Sequence, residues 1–512
     1  MKYLTTLFYC FILPVASLAQ KGDAADSLVV YRQSAASITM LRKDATQLRA
    51  SHIDTYGYAG LTYRYGTGSF RLPQVAQTST AVTFNSEGIV ALGRFKLLGY
   101  FSFERAQDDS LTYNLRGIQN SDQPSYIFAS KAGNYGRQIY TGGGIISYEL
   151  LKDKFYLSSG MDYFYNSSAG TVDPRLSSQT HKIIFNPEIT YKLHQHYFGL
   201  GITAGYSEEK NTVSFKNDNY VGSTLYPDRI AYLNFGYGYS PIRIDKAIFL
   251  NSRFSGLNMN YAGRFADWNF SAKFSYQLAN DKLRNDYETS IGAGMLQEVQ
   301  IVTKKLHFLA AQSTARHDQQ LTLSFSKDNG DDRIIESNSR NWTFRRQDAQ
   351  MTYSYLHKSS RRAQTEWIAE LFEQHVYKRD ASDDVDFSYK YISPQLGLNQ
   401  YWHSTNKDLI TAGLSLSGQF PLNTALNIRG IQTDLFTTGV IYPNEQYWSS
   451  TSGRAAFHFN YVTSSIFKDF RTGVNFNTSY QNKLSNNNDR LATGFYPEKG
   501  YFTLSMGINL YF

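Results

Sequence analysis

His194 and His196 are the first residues whose spacing suggests chemistry. In an extended chain, side chains two apart project to the same side, so the two imidazoles would form a metal pair. They fall on a predicted tight turn, Leu193–His196, where solvated histidines are the simpler reading. The other histidines, at 52, 181, 307, 317, 357, 375, 403 and 458, are scattered. No Gly-x-Ser-x-Gly elbow or His-Glu-x-x-His pattern occurs, so neither hydrolase nor zinc-protease chemistry is expected. Two acidic clusters, Asp328-Asn-Gly-Asp331-Asp332 and Asp380-Ala-Ser-Asp383-Asp384-Val-Asp386, offer oxygen ligands. Neither follows the twelve-residue calcium loop, and both read as solvated outer loops. No catalytic residue, metal or cofactor is expected, and the chain does not read as an enzyme.

The elements that would carry these residues are strands. Trp268, Phe270, Ala272, Phe274, Tyr276 and Leu278 alternate with Asn269, Ser271, Lys273, Ser275 and Gln277. Similar alternation marks 91–104, 183–193 and 410–417. Of the 512 residues, 15% are aromatic, only 11 are Pro, and the mean hydropathy is −0.42. So many aromatics exclude disorder. No apolar run after residue 20 approaches the roughly 18 residues of a spanning helix. The single cysteine, Cys10, excludes a disulfide scaffold. The pattern predicts an all-β fold, a closed antiparallel transmembrane β-barrel of about 18 strands, within a range of about 16–20, because a sheet in lipid leaves no backbone group unpaired.

Tight turns are expected near Asn85–Gly88, Lys152–Lys154, Leu193–His196, Ala266–Asp267, Ala315–Asp318, Ser359–Arg362, Ser404–Lys407 and Ile466–Asp469. Long connections are expected between them, which puts 115–130 and 430–445 on the cell surface and the turns in the periplasm. The strand-like segment 229–240 would make the count odd and is placed inside the 208–250 connection. Tyr56, Tyr58, Tyr63, Tyr163, Tyr165, Tyr191, Trp268, Tyr276, Trp367, Tyr401, Trp402, Tyr461 and Tyr480 are assigned to interfacial girdles.

Residues 1–19 read as a signal peptide, with Lys2, an apolar stretch from Leu4 to Val15 and Ser17-Leu18-Ala19 before the cut. Residues 20–52 form a periplasmic or lumen-plugging segment, too short for a folded plug domain, and 53–512 form the barrel. The last strand, Tyr501–Phe512, sets Phe502, Leu504, Met506, Ile508, Leu510 and Phe512 on one face. Phe502, Leu510 and the terminal Phe512 resemble the signal read by the barrel assembly machinery. Together with Gln20 after the cleavage site and the Tyr/Asn-rich strands, this resembles the outer-membrane barrel families of unknown function of Bacteroidota. The resemblance implies the outer membrane of a Gram-negative bacterium. It also implies an accessory or docking role beside a TonB-dependent receptor or surface lipoprotein.

The net charge is +8, from 51 Lys+Arg against 43 Asp+Glu. No basic run exceeds a pair, and the chain reads as exported, so nucleic acid is not a partner. Outer-membrane lipids and lipopolysaccharide are. Arg94, Lys96, Lys192, Arg264, Lys273 and Arg471 are expected on the lumen wall, against Glu104 and Glu188, giving a positive interior. The leading expectation is an accessory barrel with a partly occluded lumen. The alternatives are a porin-like channel for small polar or anionic solutes, and a transporter of hydrophobic compounds.

Overall fold

The computed structural model describes residues 44–116, 124–244, 247–285, 294–358, 363–403, 408–467, 470–485 and 495–512. An 18-stranded antiparallel sheet runs from Thr55–Gly68 to Gly500–Tyr511, each strand paired with the next in the chain. The last strand pairs back onto the first, from Tyr58↔Tyr511 to Gly68↔Tyr501, and closes the barrel. The strands are 12 to 19 residues long. About 9–11 residues cross a bilayer, so most strands project beyond it.

The period-two pattern sets one residue inward and the next outward. Leu61, Ile146, Leu200, Leu396 and Leu416 lie on outward rows, each more than half exposed. Leaving such a side chain in water forfeits about 1.5–3 kcal/mol of burial, so the belt they form belongs in lipid. The same parity turns Tyr56, Tyr58 and Tyr401 inward, away from the girdle expected of them. Tyr58 Oη donates to Asn509 at 3.1 Å and Tyr401 Oη to Glu366 at 2.5 Å. No helix among the described residues is long and apolar enough to cross a membrane; the crossing is made by strands.

At one end the strands join by two-residue turns at 93–94, 194–195 and 266–267, each opening on a left-handed residue: Gly93, His194 and Ala266. This end of the barrel is called the inner end, and the opposite one the outer end. Asn85–Gly88 is not a turn. Thr78–Leu92 runs unbroken through it, with Asn85 and Glu87 inward and Ser86 and Gly88 outward. The local Asn-Ser-Glu-Gly chemistry mimics a turn, but pairing on both sides holds the segment extended. The signal segment and the expected turns at 359–362 and 404–407 lie outside the described residues.

Two features lie inside the wall. A six-residue helix, α1 (Ala45–Ala50), stands at the inner end. At the outer end, Tyr126–Phe128, Tyr232–Asn234 and Ile242–Arg243 form a small separate sheet. Beside it lie the helical turn Thr437–Ile441 and the helix α2 (Tyr442–Ser449). The strand-like segment at 229–240 is thus part of an inward-folded connection, not of the barrel.

Candidate functional site

The inner end of the lumen is built around α1. Asp44 caps it, accepting from the Thr46 and Gln47 amides at 2.9 and 3.2 Å. The wall carboxylate Glu188 accepts from the Thr46 amide at 2.8 Å, from Thr46 Oγ1 at 2.6 Å and from Asn260 Nδ2 at 2.6 Å. Hydrogen bonds to a charged acceptor contribute about 1.5–3 kcal/mol each. Gln47 Nε2 donates to the Tyr261 carbonyl at 2.9 Å and Arg49 Nε to Ser147 Oγ at 2.8 Å. Leu48, fully buried, packs with Tyr56, Ile89, Leu98 and Ile145. Gly199 makes the approach possible, because a Cβ there would collide with Thr46 Oγ1. Burial pushes the Asp44 carboxyl up to about 7, with Glu188 adding to the rise and Lys273 opposing it.

The outer end is filled by three connections, through the described residues 112–116 and 124–132 of the first, 215–244 of the second and 428–450 of the third. Arg116 grips the wall: Nε meets Glu209 Oε1 and Nη2 meets Oε2, each at 2.6 Å. Asp380 accepts from the Tyr237 amide at 3.0 Å, and Asp383 from the Ser240 amide at 2.7 Å and Ser240 Oγ at 2.6 Å. Gly236 and Gly238 leave room for these carboxylates. Asp332 accepts from the Asn341 and Trp342 amides at 2.8 and 2.7 Å. The acidic clusters therefore differ from the solvated loops expected. Asp332, Asp380 and Asp383 are buried and accept from backbone amides, those of Asn341, Trp342, Tyr237 and Ser240.

Aromatic stacking completes the cap. Trp448 of α2 lies parallel to Tyr389 at 4.3 Å, and Tyr237 stacks on Phe387 at 5.6 Å. Asn444 Nδ2 donates to Tyr237 Oη at 2.9 Å. Phe128, Val440 and Ile441 are fully buried in this cluster. The segments 124–130 and 430–445, expected on the surface, thus contribute buried residues to the cap, because their apolar side chains find a core only inside the wall.

The lumen between the two ends is polar. A cavity of about 510 Å³ is lined by Arg64, Ser79, Glu104, Arg137, Arg454, His458, Asn477, Ser479 and Ser505, among others. Arg64 pairs with Glu104 inside it, and Arg137 meets Asp108 at 2.6 Å. Of the basic residues expected on the wall, Lys96 is buried and donates to the Ser51 carbonyl at 2.7 Å. Lys273 faces inward near Asp44, and Arg471 is buried on the inward row. Lys192 stands at the inner rim, 3.0 Å from Asp153. Arg264 is exposed at the same rim and donates to the Ala266 carbonyl at 2.9 Å. Arg94 is not on the wall; it sits exposed in the 93–94 turn. The inward rows also carry Glu87, Asp108, Asp162, Asp281, Glu366 and Glu370 besides Glu104 and Glu188. The wall is therefore of mixed charge rather than positive.

His194 and His196 are split, the first at the left-handed turn position and the second bonded through Nδ1 to Tyr261 Oη at 2.9 Å. No group of three or more potential metal ligands occurs among the described residues. Phe502 and Leu510 face outward on the closing strand, and Phe512 packs against Gly57 and, edge-on at 5.8 Å, Phe470.

Residues 45–512 match the family described as "Family of unknown function (DUF6850)". The chain belongs to DUF6850. The match takes in α1 and the whole barrel. No curated protein matches this DUF6850 chain. Among solved structures it is similar to the ferric preacinetobactin receptor BauA of Acinetobacter baumannii, at 10% identity and a TM-score of 0.38, covering 89% of this chain and 80% of that one. The FrpB iron transporter of Neisseria meningitidis gives 10% identity and 0.38, covering 92% and 83%. The ferric-catecholate import receptor Fiu of E. coli K12 gives 8% and 0.40, covering 90% and 82%. Likeness at that level transfers no cargo to this DUF6850 barrel. Its closed sheet and exposed apolar belt are those of a Gram-negative outer-membrane protein.

Sequence reasoning gave 20–52 as a periplasmic or lumen-plugging segment but did not single out the side chains that bind α1 and the cap to the wall of this DUF6850 barrel. Asp44-Ala-Thr-Gln47 has the spacing of a helix-capping box and was a readable signal for α1. Gly199 and Gly201 both fall on the inward row, between the outward Phe198, Leu200 and Ile202, a readable sign that something approaches the wall there. Nothing in the sequence ties Arg116 to Glu209, 93 residues away.

Proposed function

We propose that the barrel is an outer-membrane diffusion channel for small polar solutes, held shut at each end by its own chain. The observation that carries this reading is the polar cavity lying between two separately bonded closures, α1 within and the aromatic cap without. A lumen that served only as a scaffold has no need of the roughly 510 Å³ left open in it. Mixed wall charge favours neutral or zwitterionic solutes over anions. The polar lining supports hydrophilic rather than hydrophobic cargo. Docking has weaker support, because three long connections turn inward instead of presenting themselves to a partner.

The test is conductance of the purified full-length protein in planar bilayers. Wild type should show little steady current. Gly199→Leu together with Glu209→Gln should loosen both closures and give steady current with weak ion selectivity. Large steady current from wild type would overturn the closure, and no gain in the double variant would overturn the channel.

A further inference from the structure

The outward wall of the barrel is unevenly charged. On six consecutive strands around the closure, Leu409–Asn427, Thr451–Thr463, Arg471–Ser485, Gly500–Tyr511, Thr55–Gly68 and Thr78–Leu92, no outward row carries a charged residue; the few charges these strands have face inward. The five strands from Met295–Ser313 to Val385–His403 are different. Their outward rows are apolar through Leu306, Phe325, Ala349 and Leu371. Toward the outer end they then become charged: the carboxylates Glu298, Glu373 and Asp386 have basic partners in Arg333, Lys390 and Arg379, Asp331 stands two residues beyond Asn329, and Lys304, Lys327 and Arg345 lie together on the rows between.

The register makes this a cluster. Lys304 stands directly opposite Lys327 on the neighbouring strand. Lys327 faces Gln347, which places Arg345 on its diagonal. Opposed side chains begin about 5 Å apart and diagonal ones about 7–8 Å, and like charges directly opposite destabilise a sheet. None of Lys304, Lys327 and Arg345 is in an ion pair among the described residues. Lys390, by contrast, meets Glu373 at 2.9 Å. The sheet therefore holds three cations together without an ion pair among the described residues, Lys304 over the Tyr276 ring at 5.9 Å and Asp331 on the far diagonal of Arg345, with exposed Leu306 and Phe325 just below them. An anion fixed to an acyl chain would settle both features at once, its phosphate between the cations and its tails on the apolar rows.

We propose that this face binds the phosphate groups of lipopolysaccharide in the outer leaflet, and that Lys304, Lys327 and Arg345 are its ligands. The experiment measures binding of fluorescent lipopolysaccharide to the full-length barrel in detergent micelles, with a heat-modifiability check that each variant is folded. Lys304→Gln, Lys327→Gln and Arg345→Gln combined should weaken binding at least tenfold. A control in which Arg105→Gln and Lys210→Gln remove outward cations elsewhere should leave it unchanged. Wild type should bind lipopolysaccharide stripped of its lipid phosphates as weakly as the triple variant binds the intact form. Unchanged binding in the triple variant, an equal loss in the control, or indifference to the phosphates would each overturn the site. The dephosphorylated arm needs no variant, so it decides even if the triple variant folds poorly.

Discussion

Arg116 and Glu209 form a two-pronged ion pair, both contacts at 2.6 Å and both side chains at least nine-tenths buried. One comes from an inward connection and the other from the barrel wall, so the pair joins cap to barrel. Removing one partner of a buried pair leaves the other charge uncompensated, at a cost of about 3–5 kcal/mol. Glu209→Gln should free residues 124–132 while the barrel stays folded. Protease cleavage within that segment, absent in wild type, is the expected outcome; equal resistance in both proteins would show that the aromatic cluster alone holds the cap.

At the opposite end Thr46 Oγ1 and Thr190 Oγ1 are 2.9 Å apart. Cysteines at both positions should therefore reach the Cβ separation of about 3.5–4.5 Å that a disulfide needs. Mild oxidation of Thr46→Cys/Thr190→Cys should cross-link α1 to the wall, read as a mobility shift reversed by reductant. Adding Gly199→Leu should abolish the cross-link, since the new side chain would occupy the place of Thr46. Cross-linking that persists with leucine at 199 would mean that α1 reaches the wall by another route.

What the sequence made legible follows the range of each interaction. Alternation is local, so Phe270, Phe274, Leu414 and Leu416 fall on the outward rows that their spacing predicts, and the strand number is 18. Tyr58 and Tyr401 show where a rule of composition fails, since parity and not residue type decides which way an aromatic points. The lumen was read least well, because its contents are held by pairs such as Gln47 with Tyr261, 214 residues apart. Asp380 and Asp383 looked like loop carboxylates for the same reason: the amides they bind belong to Tyr237 and Ser240, 143 residues away.

Phe274 and Ser275 offer a direct test of the two faces. Phe274 lies outward in the middle of the apolar run from Trp268 to Leu278, and Ser275 lies inward opposite Asn258. Arginine on the lipid face near the midplane costs about 2–4 kcal/mol. Phe274→Arg should lower stability by that amount in urea unfolding from lipid vesicles, whereas Ser275→Arg should change it by less than about 1 kcal/mol. Equal losses at the two positions would contradict the assigned parity.

Docking of α1 should depend on pH through Asp44. Its carboxyl is raised from 3.8 to about 7 when buried, so the docked helix holds the proton more tightly than the released one. The state that binds more protons is favoured at low pH. Docking should therefore be strongest below pH 3.8 and weaken as pH rises to about 7, where the buried carboxylate must carry its charge beside Glu188 with Lys273 as partial compensation. Asp44→Asn keeps a good helix cap without the charge, so the variant should dock firmly and lose this slope. The Leu48 and Ser51 amides, which donate to the Asp44 and Gln47 carbonyls at 3.1 and 2.9 Å, report the helix directly. Their hydrogen-exchange protection, corrected for the intrinsic rate, should fall between pH 4 and 7 in wild type and stay level in Asp44→Asn. Protection that rises with pH, or a slope that survives the substitution, would assign the dependence to another group.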